Sequence, residues 1–206
     1  MSGDKDTIAF YDKEGATYAD WSAPKGDYAW LEKFISLTPH DGRLLDYGCG
    51  GGWAAKRMIE AGRAVEAFDG SASLAREAAA LTGLDVRTMR FEDFGAERRY
   101  DGIWASFCLL HAPRDTMAGN LARIAAALRP GGRLYLGLKA GAGERRDSLG
   151  RFYAYFEPDE ISALLAAVGF ADIDIREKDG GGYDGVAERV MHIFARLEDT
   201  PQSGAP

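Results

Sequence analysis

The chain has 206 residues and a formal net charge of -7 at pH 7, with 32 acidic and 25 basic side chains. Its length suits one domain with a full hydrophobic core. The acidic balance argues against nucleic acid as a partner, because phosphate neutralisation dominates that affinity. The first six residues, Met-Ser-Gly-Asp-Lys-Asp, are polar and precede no long apolar run. We therefore expect no signal peptide, no membrane association and a cytoplasmic location.

The cysteines and histidines predict neither a disulfide nor a metal site. Cys49 and Cys108 lack the Cys-x-x-Cys spacing of a metal cage, and a reducing compartment disfavours their pairing. The histidines, His40, His111 and His192, are widely separated along the chain.

The N-terminal segment, residues 1–26, is rich in aromatic side chains but shows no clear period. Phe10, Tyr11, Tyr18 and Trp21 alternate with acids and glycines. This composition predicts a lid laid over the rest of the chain. The alternative is that these rings only cover an edge of the sheet.

A glycine-rich turn is the central feature of the sequence. A strand is predicted over 43–47, four glycines follow within 48–52, and a helix is predicted over 53–61. Glycine allows positive φ and lets a ligand approach the backbone N–H groups directly. Strand, glycine turn and helix N-terminus together indicate a nucleotide-type binding element.

The spacing around this turn discriminates between nucleotide classes. A dinucleotide fingerprint beginning at Gly48 needs a glycine at position 53, where the chain has Trp53, and no P-loop Gly-Lys-Ser/Thr follows. Asp46 precedes the turn, and Asp69 ends the next predicted strand, 23 positions later. That offset is close to the ~20 residues expected of a carboxylate that binds ribose hydroxyls.

The remaining chain alternates strands and helices, which predicts a parallel sheet with right-handed crossovers. A helix is expected from near Asp27, a suitable N-cap, to about Leu37, and Ser71 is expected to cap another. A polar insertion is expected over 141–156. The other predicted strands are 64–68, 84–89, 101–106, 133–139, 171–176 and 189–197, and the other helices are 72–82, 114–128 and 158–168.

These features resemble the class I S-adenosylmethionine-dependent methyltransferases, and the tellurite-resistance-type small-molecule enzymes among them. The resemblance rests on Asp46 with the glycine turn, on Asp69, on Phe10-Tyr11-Asp12 and on Leu-Arg-Pro-Gly-Gly-Arg-Leu at 128–134. It implies an α/β, Rossmann-like doubly wound sheet of seven strands, mostly parallel with an antiparallel last strand. The implied organisation is a lid and helix at 1–40, a methyltransferase domain at 41–198 and a disordered tail at 199–206.

The resemblance also implies S-adenosylmethionine as the cofactor. Asp46 is expected to meet its ammonium group, directly or through water, and the loop containing Phe91 and Glu92 to hold its adenine. An ordinary polar loop remains the alternative for that pair. The candidate cofactor-binding residues are Tyr11, Tyr18, Asp46, Gly48, Gly50, Asp69, Gly70, Ser71, Phe91, Glu92, Ser106 and Phe107.

His111 is the candidate catalytic residue, because it follows the fourth strand and could take a proton from an acceptor. The alternative is that it only hydrogen-bonds a loop. The predicted acceptor is a small molecule, since the insertion mixes guanidinium groups and rings, although that segment could equally be a solvated lid. No Asn/Asp-Pro-Pro-Tyr follows the fourth strand, which argues against methylation of adenine or glutamine amides.

We therefore predict in-line methyl transfer from S-adenosylmethionine to a small molecule. A non-catalytic module that binds S-adenosylmethionine is the main alternative, and nicotinamide-dependent reduction is disfavoured by Trp53. The oligomeric state stays open.

Overall fold

The computed structural model describes residues 4–24 and 28–199. Its helices are α1 (Lys5–Ser22), α2 (Ala29–Ser36), α3 (Trp53–Glu60), α4 (Ala72–Thr82), α5 (Met117–Ala127) and α6 (Pro158–Ala167). Its strands are β1 (Arg43–Tyr47), β2 (Ala64–Asp69), β3 (Arg87–Thr88), β4 (Tyr100–Ser106), β5 (Leu128–Lys139), β6 (Glu144–Arg146), β7 (Phe152–Ala154), β8 (Phe170–Gly181) and β9 (Ala187–Leu197). Short 3-10 turns cover Phe91–Asp93, Leu109–His111 and Arg114–Thr116.

The main sheet has the strand order β3-β2-β1-β4-β5-β9-β8. β1 pairs in parallel with both β2 and β4, whereas β9 runs antiparallel to β5 and β8. The order therefore reverses between β1 and β4, and in such sheets ligands bind beyond the carboxyl ends of the strands at this point. The predicted seven-stranded, mostly parallel fold with an antiparallel last strand is confirmed.

Hydrophobic side chains cover both faces of the sheet. Leu44 packs in a cluster with Phe34 of α2 and Met58 of α3, whereas its neighbour Leu45 belongs to the cluster that contains Ile124 of α5. Successive residues of a strand point to opposite faces, so a strand buried on both faces reads as a continuous apolar run. This burial holds the carboxyl ends of β1 and β4 in fixed positions.

The aromatic N-terminal segment forms an 18-residue helix, α1, although its sequence shows no clear hydrophobic period. Asp4 caps the helix by accepting a hydrogen bond from the Thr7 backbone N–H at 2.9 Å. The buried face consists of Thr7, Tyr11 and Gly15, at helical spacing. Two of these residues are not hydrophobic, which explains why an apolar pattern did not reveal the helix.

Several predicted boundaries differ from those in the structure. The strand expected at 84–89 shrinks to β3, because only Arg87 and Thr88 pair with the end of β2. The strand expected at 133–139 begins at Leu128, which pairs with Tyr100 before the register shifts. The polar insertion contains a two-stranded hairpin, β6–β7. The expected N-cap, Asp27, lies outside the described residues, and α2 begins at Ala29.

No helix in the described part of the chain is long and apolar enough to cross a bilayer.

Candidate active site

A cavity of about 420 Å³ opens at the carboxyl ends of β1, β2 and β4, where the strand order reverses. Its size is in the range of small-molecule sites, ~300–1,000 Å³. The glycine turn after β1 forms one wall, the end of β4 forms another, and α1 contributes Tyr11 and Tyr18. The cavity is therefore built by the segments that the sequence singled out.

The turn that follows β1 leaves open space where a side chain would stand. Gly50 has φ +53°, and a Cβ built on it would meet no atom within 4 Å. Its backbone N–H donates to Asp69 Oδ2 at 2.8 Å, and the Ser71 N–H donates to Asp69 Oδ1 at 2.8 Å. Asp69 is thus held at the cavity wall beside Gly50, as predicted from the spacing of the two acids.

A second carboxylate, that of Asp46, lies at the same cavity. Its Oδ2 accepts a hydrogen bond from the Ala55 N–H at 3.0 Å. Burial is the main cause that raises its pKa to about 7, with a further contribution from Asp69. Burial likewise raises the pKa of Asp69, and no basic side chain is among the main influences on either group. Two desolvated carboxylates in one cavity favour a cationic or hydroxyl-bearing ligand.

The loop after β3 gives the cavity an aromatic wall. Phe91 lines the cavity and stacks on Tyr47, with ring centroids 5.3 Å apart and planes inclined by 16°. Glu92 does not line the cavity, unlike its neighbour Arg90, with which it forms an ion pair at 3.7 Å. Of the two residues predicted for this loop, Phe91 lines the cavity and Glu92 does not, and Arg90 is a lining residue that the prediction did not include.

The remaining predicted residues also meet at the cavity. Ser71 caps α4, as expected, by accepting a hydrogen bond from the Leu74 N–H at 3.2 Å. Its hydroxyl also donates to Asp12 of α1 at 2.7 Å. The other predicted residues that line the cavity are Tyr11, Tyr18, Gly48, Gly70, Ser106, Phe107 and His111.

His111 is connected to α1 and to the insertion through both ring nitrogens. Its Nδ1 lies 2.7 Å from the Phe152 carbonyl oxygen, and its Nε2 lies 3.0 Å from the Tyr11 hydroxyl. A carbonyl only accepts, so Nδ1 carries the proton and Nε2 accepts from Tyr11. Arg151 donates to the same hydroxyl at 3.1 Å. Burial lowers the pKa of His111 to about 4, so the ring is neutral at pH 7. We call His111, Tyr11, Arg151 and Phe152 the latch.

Above the latch, aromatic rings surround the guanidinium group of Arg151. Its central carbon lies 5.2 Å from the ring centroid of Phe10, 5.4 Å from that of Tyr153 and 5.5 Å from that of Tyr183. Tyr183 belongs to the tip of the β8–β9 hairpin and packs against Trp21 of α1 at 5.0 Å. We call α1, the β6–β7 insertion and this hairpin tip the roof. It joins three segments far apart in sequence. A lid was predicted for residues 1–26, and the insertion was read as a possible lid, but their contact with the hairpin tip was not predicted.

Sequence reasoning also missed a second aromatic region of the cavity, beside the end of β5. Its residues are Tyr28, Trp30, Trp104, Tyr135 and His192. Tyr135 and Trp104 stack with centroids 3.6 Å apart. These positions form no motif, and only the pairing of β4, β5 and β9 brings them together.

Comparison with known proteins identifies the family. A family described as a methyltransferase domain matches residues 23–175. The chain belongs to this family. A ubiquinone biosynthesis O-methyltransferase of Xanthomonas axonopodis pv. citri is 33% identical over 107 residues, which are 48% of this chain and 44% of that protein. A tRNA U34 carboxymethyltransferase of Methylococcus capsulatus is 32% identical over 170 residues, which are 74% of this chain and 51% of that protein. The chain thus spans about half the length of the curated relatives it matches.

Solved structures agree with this family. The 1,6-didemethyltoxoflavin-N1-methyltransferase of Burkholderia thailandensis, solved with 1,6-didemethyltoxoflavin and S-adenosylhomocysteine, has a TM-score of 0.70 and 26% identity, covering 93% of this chain and 87% of that chain. The DhpI complex with S-adenosylhomocysteine has a TM-score of 0.70 and 22% identity, covering 93% and 95%, and shows the fold alone. The predicted methyltransferase family is confirmed.

The space beside Gly50 gives a first testable prediction. In Gly50→Ala, the added methyl group should project into the cavity and lower the affinity for S-adenosylhomocysteine at least tenfold, as measured by calorimetry. Gly62→Ala is the matched control, because Gly62 also has positive φ, +80°, and open space around its Cβ position but does not line the cavity. Both variants should lose about 1 kcal/mol of stability from backbone strain. Equal affinity in the two variants would contradict a role for this space.

The latch gives a second prediction. Tyr11→Phe removes the hydroxyl shared by His111 and Arg151, and we expect a loss of about 1–3 kcal/mol in the free energy of unfolding. Amide hydrogen exchange in α1 should become faster. Tyr183→Phe is the control, since it keeps the ring contacts of another roof tyrosine. Unchanged exchange in α1 of the Tyr11→Phe variant would show that the latch does not hold the roof.

Proposed function

We propose that this protein transfers the methyl group of S-adenosylmethionine to a small-molecule acceptor. The observation that carries the proposal is the pair of buried carboxylates, Asp46 and Asp69, on either side of the open space at Gly50. S-adenosylmethionine presents a sulfonium, an ammonium group and ribose hydroxyls, and it has no phosphate. A cavity with two acids, and with no lysine among the described residues that line it, suits that distribution of charge.

The described residues fit this cofactor. Asp69 would accept hydrogen bonds from the ribose hydroxyls, Asp46 would meet the ammonium group, and Phe91 would pack against the adenine. The space beside Gly50 leaves room for the ligand next to the backbone. When bound, S-adenosylmethionine supplies an electrophilic methyl group. The chain then has to orient the acceptor and exclude water.

We assign the exclusion of water to the roof and a positioning role to His111. Both ring nitrogens of His111 are already hydrogen-bonded, to Tyr11 and to the Phe152 carbonyl. A base needs a free lone pair near the acceptor, so this arrangement supports the alternative in which His111 holds a loop. Thr7 of α1 adds a further bond beside the latch, because its hydroxyl accepts a hydrogen bond from the Phe152 N–H at 2.8 Å.

The small-molecule acceptor is supported by the aromatic walls of the cavity and by the acidic balance of the chain. The ubiquinone-biosynthesis relative and the didemethyltoxoflavin enzyme, by their names, act in small-molecule chemistry. The carboxymethyltransferase relative is named for a tRNA. The net charge of -7 disfavours such a polyanion here, because binding it requires neutralising phosphates.

Calorimetry with S-adenosylmethionine, S-adenosylhomocysteine and a nicotinamide dinucleotide tests the cofactor. We expect micromolar or tighter affinity for the first two, which corresponds to about -8 kcal/mol. Binding of the dinucleotide alone would refute the proposal. Incubation of metabolite pools with methyl-labelled cofactor then tests transfer, because a non-catalytic module would bind the cofactor but label no product.

The pKa of Asp46 predicts a pH-dependent affinity. Asp46 must be ionised to meet a cation, and its pKa is about 7. Affinity for S-adenosylhomocysteine should therefore fall about five- to tenfold from pH 7.5 to pH 6, provided that ionised Asp46 carries the interaction. Asp46→Asn should bind weakly and show little of this dependence. A wild-type affinity that does not change over this range would contradict the role of Asp46.

The raised pKa of Asp46 also predicts that Asp46→Asn is more stable than the natural protein. The folded pKa of Asp46 lies above its ordinary value of 3.8, so its ionisation destabilises the native state as pH rises from about 4 to 7. Above pH 7, in the absence of ligand, Asp46→Asn should be more stable than the natural protein by about 1–3 kcal/mol. Thermal unfolding at pH 8 measures this difference, and a lower melting temperature for the variant would contradict it.

A further inference from the structure

His192 is held in the second aromatic region of the cavity by the pairing of three strands. Ser106 of β4 lies opposite Gly137 of β5, and Gly137 lies opposite His192 of β9. One step back along the same face, Trp104 lies opposite Tyr135. Side chains two residues apart on a strand share a face, so Tyr135 and His192 are diagonal neighbours. His192 is 8% exposed and lines the cavity.

Two aromatic side chains fix the plane of this imidazole. Trp30 of α2 stacks on it, with centroids 4.4 Å apart and planes inclined by 14°. Phe107 meets it edge-on at 5.7 Å and 89°. The Phe107 ring can lie there because Gly137 has no side chain, and a Cβ at Gly137 would come within 3.0 Å of that ring. The histidine therefore has little freedom to turn away from the cavity.

The two nitrogens of His192 have different surroundings. Nδ1 lies 2.7 Å from the Tyr135 hydroxyl, and the neighbouring Ser106 side chain moderates the rise that burial causes in the pKa of that hydroxyl. In the described part of the chain, Nε2 has no hydrogen-bond partner of its own. With the proton on Nδ1 donated to the Tyr135 oxygen, Nε2 presents a lone pair to the cavity. This is the feature that His111 lacks, since Tyr11 occupies its Nε2.

His192 is neutral at physiological pH, which leaves a lone pair on the ring, and its low pKa makes it a weak base in the absence of an acceptor. Burial is the main cause that lowers its pKa to about 4, and Lys178 of β8 contributes in the same direction. The imidazole is therefore neutral across the physiological range. A proton transferred to Nε2 would leave Nδ1–H still donating to Tyr135, and Tyr135 could in turn donate to Ser106, so the charged ring would keep its partner.

We infer that His192, oriented by Tyr135, is a catalytic residue that takes the proton from a planar aromatic or heteroaromatic acceptor bearing an ionisable O–H or N–H. The inference rests on the proposed function and names the acceptor class. The walls formed by Tyr28, Trp30 and Trp104 favour a flat ring over an aliphatic acid. The acceptor gives its proton to Nε2, its heteroatom forms a bond to the methyl carbon, and the C–S electron pair returns to sulfur, leaving S-adenosylhomocysteine.

The test follows the histidine signals by NMR in protein carrying ¹³C,¹⁵N-histidine and saturated with S-adenosylhomocysteine. Catechol probes the O–H class and theophylline the N–H class. Veratrole and caffeine are their methylated counterparts, which lack the proton in question. We expect at least one acidic probe to shift the ring signals of His192, and its methylated counterpart to bind at least tenfold more weakly.

Variants separate catalysis from structure. With the probe that binds and with S-adenosylmethionine, His192→Gln should lower kcat by about 10²–10⁴, the usual contribution of a general base. Its affinity for S-adenosylhomocysteine should stay within twofold of the natural protein. Tyr135→Phe keeps the stacking on Trp104 and should lower kcat about tenfold with little change in KM. His40→Gln, at an exposed histidine outside the cavity, should behave as the natural protein.

Failures of the two proposals are distinguishable. If S-adenosylhomocysteine binds but all four probes fail to bind at about 10 mM, the acceptor class is wrong and the proposed cofactor site stands. If a probe binds without moving the His192 signals, or His192→Gln retains its kcat, the role of His192 is refuted. If S-adenosylhomocysteine itself does not bind, the proposed function fails first.

Discussion

The hydrogen bonds that Asp69 accepts from Gly50 and Ser71 hold the site together. They join the turn after β1 to the turn after β2, at the edge where both strands end. Removing this carboxylate from water is unfavourable, and the two backbone donors offset only part of that cost. Asp69 and Asp46 are therefore two buried carboxylates at one cavity, and neither has a basic side chain among its main electrostatic influences. The ligand that relieves this condition is one that brings positive charge or hydroxyl donors.

The roof also contains a buried charge, that of Arg151. Arg151 is buried, and its charge is met by Asp147 at 2.8 Å and by the faces of several aromatic rings. Breaking such a buried pair is strongly unfavourable, so the guanidinium group fixes the insertion, α1 and the hairpin tip relative to one another. The cofactor must nevertheless enter and leave. The fold thus combines a rigid floor, built from strand ends, with a cover held by a few polar bonds that can open locally.

Much of the floor could be predicted from the sequence, because its determinants are local. The glycine turn, Asp46 before it and the Ser71 cap lie within or next to the elements they shape. Asp69 could be placed by spacing alone, since one strand–helix–strand unit separates it from Asp46. Of the predicted pair after β3, Phe91 lines the cavity and Glu92 does not, a difference that the residue order alone does not signal. The composition of the N-terminal segment predicted a lid, but the contacts that join the roof and the second aromatic region could not be predicted, since contacts such as Tyr11 with Arg151 join positions 140 residues apart.

His111 and His192 show why residue type and pKa do not assign a role. Burial lowers the pKa of both to about 4, and both line the same cavity. His111 follows the fourth strand, where a base would be sought, but its two nitrogens are satisfied by a carbonyl and a phenol. His192 has no motif around it, yet one ring nitrogen is held by the Tyr135 hydroxyl and the other has no hydrogen-bond partner among the described residues. Chemistry requires a lone pair that the fold has not already used, and the strand pairing of β5 with β9 leaves that lone pair on His192.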